Sequence, residues 1–155
     1  MQVKRLISTG IAVGVIAIGG VAVASAATHS ASATAAPTIS VRSSAYGKIL
    51  INSKGFTLYL WAKDKSDKSA CSGGCLAVWP FVLVSGTPTA GSGVNAKLLG
   101  TIKVKGGNEV TYNQHPLYTF VSDVKPGIIS GEGNKTFGGP WWLVSPAGNA
   151  VTKKP

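Results

Sequence analysis

A chain of 155 residues with a formal net charge of +10 and only two cysteines leaves room for one domain of ordinary size with a modest core. Twenty glycines and eight prolines interrupt it too often for long helices. A haem-attachment C-x-x-C-H is absent, and two cysteines alone cannot complete a zinc site.

The chain opens as an export signal. Lys4 and Arg5 form a positive stretch, Ile7 to Val23 is apolar apart from Gly, Ser and Thr, and Ala24-Ser25-Ala26 is a small-residue cleavage site. Residues 1–26 therefore read as a signal peptide removed on export, the alternative being an uncleaved anchor, since such a run nearly spans a bilayer. No cysteine stands at the cleavage point to carry a lipid. The expected location is extracytoplasmic, in or beyond the cell envelope, with membrane contact only during export or through an uncleaved signal. Residues 27–44 are rich in Ala, Ser and Thr and read as a disordered linker, because such a segment buries too little surface to offset its ordering entropy. Removing Lys4 and Arg5 lowers the net charge from +10 to +8. For an exported chain the anionic partners at hand are cell-wall or envelope components, and nucleic acid is not expected.

The remaining residues, 45–152 before a short tail at 153–155, carry the periodicity of strands. Ile102 and Val104 alternate with Thr101, Lys103 and Lys105, Gly106-Gly107 makes a hairpin turn, and Val110 and Tyr112 continue the apolar face opposite Glu109 and Thr111. Further strands are expected at 48–51, 56–61, 81–84, 117–121 and 141–144, and a turn or two of helix near 94–99. The expected fold is all-β.

The phrase Leu58-Tyr59-Leu60-Trp61-Ala62-Lys63-Asp64 returns, diverged, as Leu117-Tyr118-Thr119-Phe120-Val121-Ser122-Asp123. Each copy follows a strand and a tight turn, and each precedes a glycine-bearing loop and a tryptophan strand, at Trp79 and at Trp141-Trp142. The domain thus consists of two diverged hairpin-containing repeats, about 46–85 and 100–150, arranged as a sandwich or barrel around one core. Strand parity places Tyr59 and Trp61 on one face and Leu58 and Leu60 on the other, so the first copy should be enclosed on both sides. Asp64 and Asp123 fall where the strand ends and should accept backbone N–H bonds that fix the turn.

With these residues in view the chain resembles a bacterial family of secreted repeats and predicted lipoproteins, marked by a Tyr-x-aromatic-x-x-Asp motif and without an established activity. The matching residues are Tyr59, Trp61 and Asp64, then Tyr118, Phe120 and Asp123. Cys71-x-x-x-Cys75 before Ala77-Val78-Trp79-Pro80, Val110-Thr111-Tyr112-Asn113 before Pro116, and Phe137-Gly138-Gly139 before Trp141 support them. The resemblance implies a family and no reaction.

Few residues offer chemistry. Cys71 and Cys75 suit a structural disulfide in an exported chain, or else a thiol-exchange or soft-metal pair. His115, before Pro116, reads as a turn histidine, with a ligand role as the alternative. His29 stands third after the expected cleavage bond, a position from which an amine, two amides and an imidazole bind copper(II). No cofactor is expected, copper being the alternative. A paired-carboxylate hydrolase would need Asp64 and Asp123 in one cleft. The aromatic residues are core candidates first. An alternative is a flat ligand surface formed by Trp79, Trp141 and Trp142, of which the adjacent pair must point to opposite sides. The leading expectation is a non-enzymatic binding or structural module of the envelope. The second is a metal-binding or redox protein using the cysteines.

Overall fold

A computed structural model describes residues 38–153 and Pro155. The signal segment, His29 and the linker up to residue 37 lie outside the described residues. The end of the expected linker does not behave as one. Ile39–Ser44 is strand β1, antiparallel to β2 at Gly47–Asn52, with Ile39 opposite Asn52 and fully buried. Alternate Ile39 and Val41 face the core, and two apolar residues at strand spacing outweigh the polar composition around them.

The chain continues through β3 (Tyr59–Trp61), a short helix α1 (Gly74–Val78), β4 (Leu83–Val84), β5 (Leu99–Val104), β6 (Gly107–Tyr112), β7 (His115–Pro116) and β8 (Trp141–Leu143). Single 3-10 turns lie at Ala96–Leu98, close to where a helical turn is expected, and at Thr136–Gly138. Three antiparallel sheets result: β1 with β2, β3 with β8, and the order β4-β6-β5 with β7 also on β6. The fold is all-β and built from two repeats, but it is not a closed barrel. Helix α1 starts at the end of the C-x-x-x-C segment and runs on to Val78, where the sequence suggests only an irregular loop. It is one turn long, and the Trp79 N–H donates to the Cys75 carbonyl at its end. Among the described residues no helix is long and apolar enough to cross a membrane.

The hairpin of β5 and β6 turns at Lys105-Gly106, one residue earlier than expected, with Gly106 at positive φ and Gly107 already paired with Val104. This register sets Ile102 opposite Glu109, so Ile102 and Val104 share a face with Glu109 and not, as expected, with Val110 and Tyr112. The second phrase departs from its expected strand. Tyr118 bridges both Tyr59 and Phe81, but 119–121 form no ladder; Thr119 and Val121 donate instead to the carbonyls of Pro80 and Val78.

Strand parity divides the interior into two clusters. Leu58 and Leu60 join Ile39, Leu50, Val110, Tyr112, Leu117 and Val144 in one. Tyr59 and Trp61 join Ile49, Trp79, Tyr118, Trp141, Leu143 and both cysteines in the other. The first phrase is therefore a central partition with buried side chains on both faces.

Candidate functional site

The two phrases meet back to back. The Tyr59 N–H donates to the Tyr118 carbonyl at 2.9 Å, and the Tyr118 N–H donates to the Tyr59 carbonyl at 3.0 Å. From this reciprocal pair the side chains cross over. The Tyr59 hydroxyl donates to Asp123 Oδ2 at 2.7 Å, and the Tyr118 hydroxyl donates to Asp64 Oδ2, also at 2.7 Å. Each tyrosine thus binds the aspartate of the other repeat.

The second oxygen of each carboxylate fixes its own loop. Asp64 Oδ1 accepts the Ala70 N–H at 2.7 Å, and Asp123 Oδ1 accepts the Ser130 N–H at 2.9 Å and the Ser130 hydroxyl. Ser69 adds a hydroxyl contact to Tyr118, and the Gly131 N–H donates to the Tyr59 oxygen at 3.2 Å. Turn fixing is legible in the sequence; the crossed tyrosine bonds are not, since parity says nothing about contacts 54 and 64 residues apart. Burial pushes both tyrosine hydroxyls well above their ordinary value, and the neighbouring carboxylates add to this, so neither is a base or nucleophile near neutrality. Asp64 is raised by burial, although the Ala70 N–H, the Tyr118 hydroxyl and nearby His115 oppose the shift.

The aromatic residues interlock in the same crossed order. Trp61 stacks on Trp141 with centroids 4.9 Å apart, Trp141 on Trp79 at 3.9 Å, and Trp79 on Phe120 at 4.2 Å. This four-ring column alternates repeat one, repeat two, repeat one, repeat two. Tyr59 meets Trp79 edge-on at 5.3 Å and Tyr118 meets Trp141 edge-on at 5.0 Å, the arrangement favoured by ring quadrupoles. All three indole N–H groups of the column hold the glycine-rich loop: Trp61 donates to the Gly139 carbonyl, Trp79 to the Thr136 hydroxyl and Trp141 to the Thr136 carbonyl.

Two of the three expected ligand-surface residues are thereby corrected. Trp79 and Trp141 are fully buried and face each other, so neither presents a ring to a ligand. Trp142, on the opposite face of β8, is half-buried and lines a surface cavity. Cys71 and Cys75 are joined in a disulfide, with Cα atoms 5.4 Å apart and each residue about 5% exposed or less. No free thiol is left for a metal or for ready exchange. His115 lies half-buried in β7, opposite Tyr112. Among the described residues no group of three or more His, Cys, Asp or Glu is placed to hold a metal ion. Asp123 is buried with both oxygens engaged, which removes it from any paired-carboxylate cleft.

One residue of chemical interest lies in an environment that strand alternation does not predict. Alternation puts Glu109 on the polar face of β6, yet it is fully buried and both carboxylate oxygens lack a partner among the described residues. The reason is that β6 is flanked by β4 and β5 and covered on both faces. Leu58 N–H bonds the Leu50 carbonyl and Leu117 N–H bonds the Val110 carbonyl, so Glu109 occupies the register position of Ile49 in the first repeat. Aligning the repeats through their turns would have flagged an acid where its twin is apolar. Burial, with Asp64 nearby, pushes the Glu109 carboxyl up to about 9.

The repeats seen in the fold are also the units of a known family. No curated protein and no solved structure matches the chain. The family described as "Secreted repeat of unknown function" matches it twice, over residues 40–83 and 100–145, one span for each half of the crossed arrangement. The chain belongs to this family of secreted repeats and is an extracytoplasmic protein.

Proposed function

We propose that the chain is a non-enzymatic module of the bacterial envelope that associates with anionic envelope polymers through its lysine-covered surface. The observation that carries this reading is how the fold sorts charge. Eleven lysines of the described residues, from Lys48 to Lys153, are all exposed. Of the five acidic residues only Asp67 is exposed. Asp123 and Glu109 are buried, while Asp64 and Glu132 are half-buried and accept backbone N–H bonds. Glu109, raised to about 9, carries no charge at neutral pH. The surface is consequently more positive than the composition alone implies, and such a field attracts polyanions.

The crossed Tyr-x-aromatic-x-x-Asp residues support the non-enzymatic part. Their polar atoms satisfy one another inside the protein, as a device that locks two repeats together. The same motif supports placing the chain among the bacterial secreted repeats and predicted lipoproteins that it resembles. A redox role gains no support from a disulfide this enclosed.

Polyglycerol phosphate serves as the test polymer. Binding by the mature protein should weaken steeply from 0.05 to 0.5 M salt, as the screening length contracts from roughly 10 Å at 0.1 M toward 3 Å at 1 M. Lys103 of β5 and Lys105 in the turn after it are both exposed, and their joint replacement by glutamate should weaken binding further. Binding that ignores both salt and charge reversal would rule the reading out.

A further inference from the structure

The half-buried Trp142 lines a surface cavity of about 540 Å³, together with Tyr46, Glu132, Gly133, Lys135 and Thr152. Its size lies within the roughly 300–1,000 Å³ typical of small-ligand sites. From this cavity we infer a binding site for a neutral polyhydroxylated ligand, a saccharide ring, seated against Trp142.

Trp142 enters the site because β8 alternates. Trp141 and Leu143 turn into the cluster around the crossed tyrosines, and Trp142 turns to the other side, opposite Leu60 in β3. Gly133 brings the loop backbone close to the indole: a Cβ there would lie 3.8 Å from the Trp142 ring, and its φ of +68° is one that glycine adopts without strain. Glu132 is fixed beside it, for its Oε2 accepts the Leu143 N–H at 2.6 Å. Its Oε1 has no hydrogen bond among the described residues and is left to accept from a ligand.

The charges select the ligand class. Two aromatic walls and a carboxylate would suit an ammonium group, but the exposed Lys135 on the same rim disfavours a cation. The Glu132 carboxylate, held in the same wall, likewise disfavours an anion. A carboxyl acceptor and a lysine donor flanking an aromatic face match a sugar, which stacks its C–H face on a ring while its hydroxyls donate and accept around the edge. The disulfide, the crossed tyrosines and the exposed Lys103 and Lys105 take no part in this site.

The inference rests on the reading of the chain as an envelope module, and adds a neutral sugar subsite to a surface that attracts anionic polymer. The two are separable by salt. Calorimetry of the mature protein with the tetramer of N-acetylglucosamine, and with cellotetraose as a second neutral probe, should give saturable binding to at least one. Its affinity should stay within about twofold from 0.05 to 0.5 M salt, because no counterion is displaced. Glu132→Gln and Lys135→Ala should each weaken it about tenfold, the scale of one lost hydrogen bond to a charged group. Lys135 is exposed, so its replacement leaves the fold intact and keeps the test valid if Trp142→Ala proves unstable. Absence of saturable binding by both neutral probes, or binding unchanged in both polar variants, would overturn the inference. Polyglycerol phosphate binding would be untouched by either result.

Discussion

Glu109 should make the protein less stable as pH rises across the neutral range, and replacing it should remove that dependence. Glu109, in register with Leu83 of β4 and Ile102 of β5, is fully buried, with neither carboxylate oxygen hydrogen-bonded among the described residues. Burial raises it from an ordinary 4.5 to about 9, so the folded chain holds its proton where the unfolded chain has released it. The sign follows from that difference. The favourable contribution is complete below pH 4.5 and declines up to about pH 9, at about 1.4 kcal/mol per pH unit for one proton. At pH 7 the accumulated loss is on the order of 3 kcal/mol, a large fraction of a small domain's stability. Glu109→Gln keeps the shape without the titration; Glu109→Ile restores the residue found at the matching position of repeat one. Urea unfolding at pH 5, 6, 7 and 8 measures both. The advantage of Glu109→Gln over wild type should widen with each pH step, and Glu109→Ile should be the more stable variant throughout, since no polar group remains unpaired. Asp64 and Glu132 are also raised and tilt the wild-type curve the same way, but they cancel in the difference. A difference that stays flat between pH 5 and 8 would refute the argument, and so would a glutamine variant less stable than wild type at pH 8.

The crossed tyrosine bonds should couple unequally. A double-mutant cycle of Tyr59→Phe with Asp123→Ala should give about 2 kcal/mol, because Asp123 is only 3% exposed and the bond is charge-assisted. The cycle of Tyr118→Phe with Asp64→Ala should give less, since Asp64 is half-buried and Ser69 also reaches the Tyr118 hydroxyl. Equal or reversed coupling energies from chemical denaturation would contradict the ranking. Gly131→Ala should destabilise by about 1–3 kcal/mol, the usual range for overpacking. Its Cβ would lie 2.7 Å from the Trp79 ring and 3.0 Å from the Tyr59 ring, both enclosed. Gly86→Ala, with nothing within 4 Å, is the control and should leave the melting temperature in place.

By itself the sequence determined the class of fold and its doubled plan. Alternation marked the β5–β6 hairpin, parity assigned Leu58 and Leu60 to one face and Tyr59 and Trp61 to the other, and the repeated phrase announced two units. These properties are local: each depends on residues within a few positions, where period-2 geometry and turn chemistry act directly. The cysteine pair was legible for the same reason, four residues apart in a supple loop.

Tertiary structure decided everything that depends on which surfaces are covered. It turned Ile39–Ser44 from linker into strand, because β2 offered an edge to pair with. It hid Glu109 by placing β6 inside its sheet, and it sealed Trp79 and Trp141 into a column while leaving Trp142 beside a cavity. Above all it crossed the two phrases, giving the tyrosine of each repeat to the aspartate of the other. Parity fixes the side to which a residue points; only the packing of the second repeat fixes what it meets there.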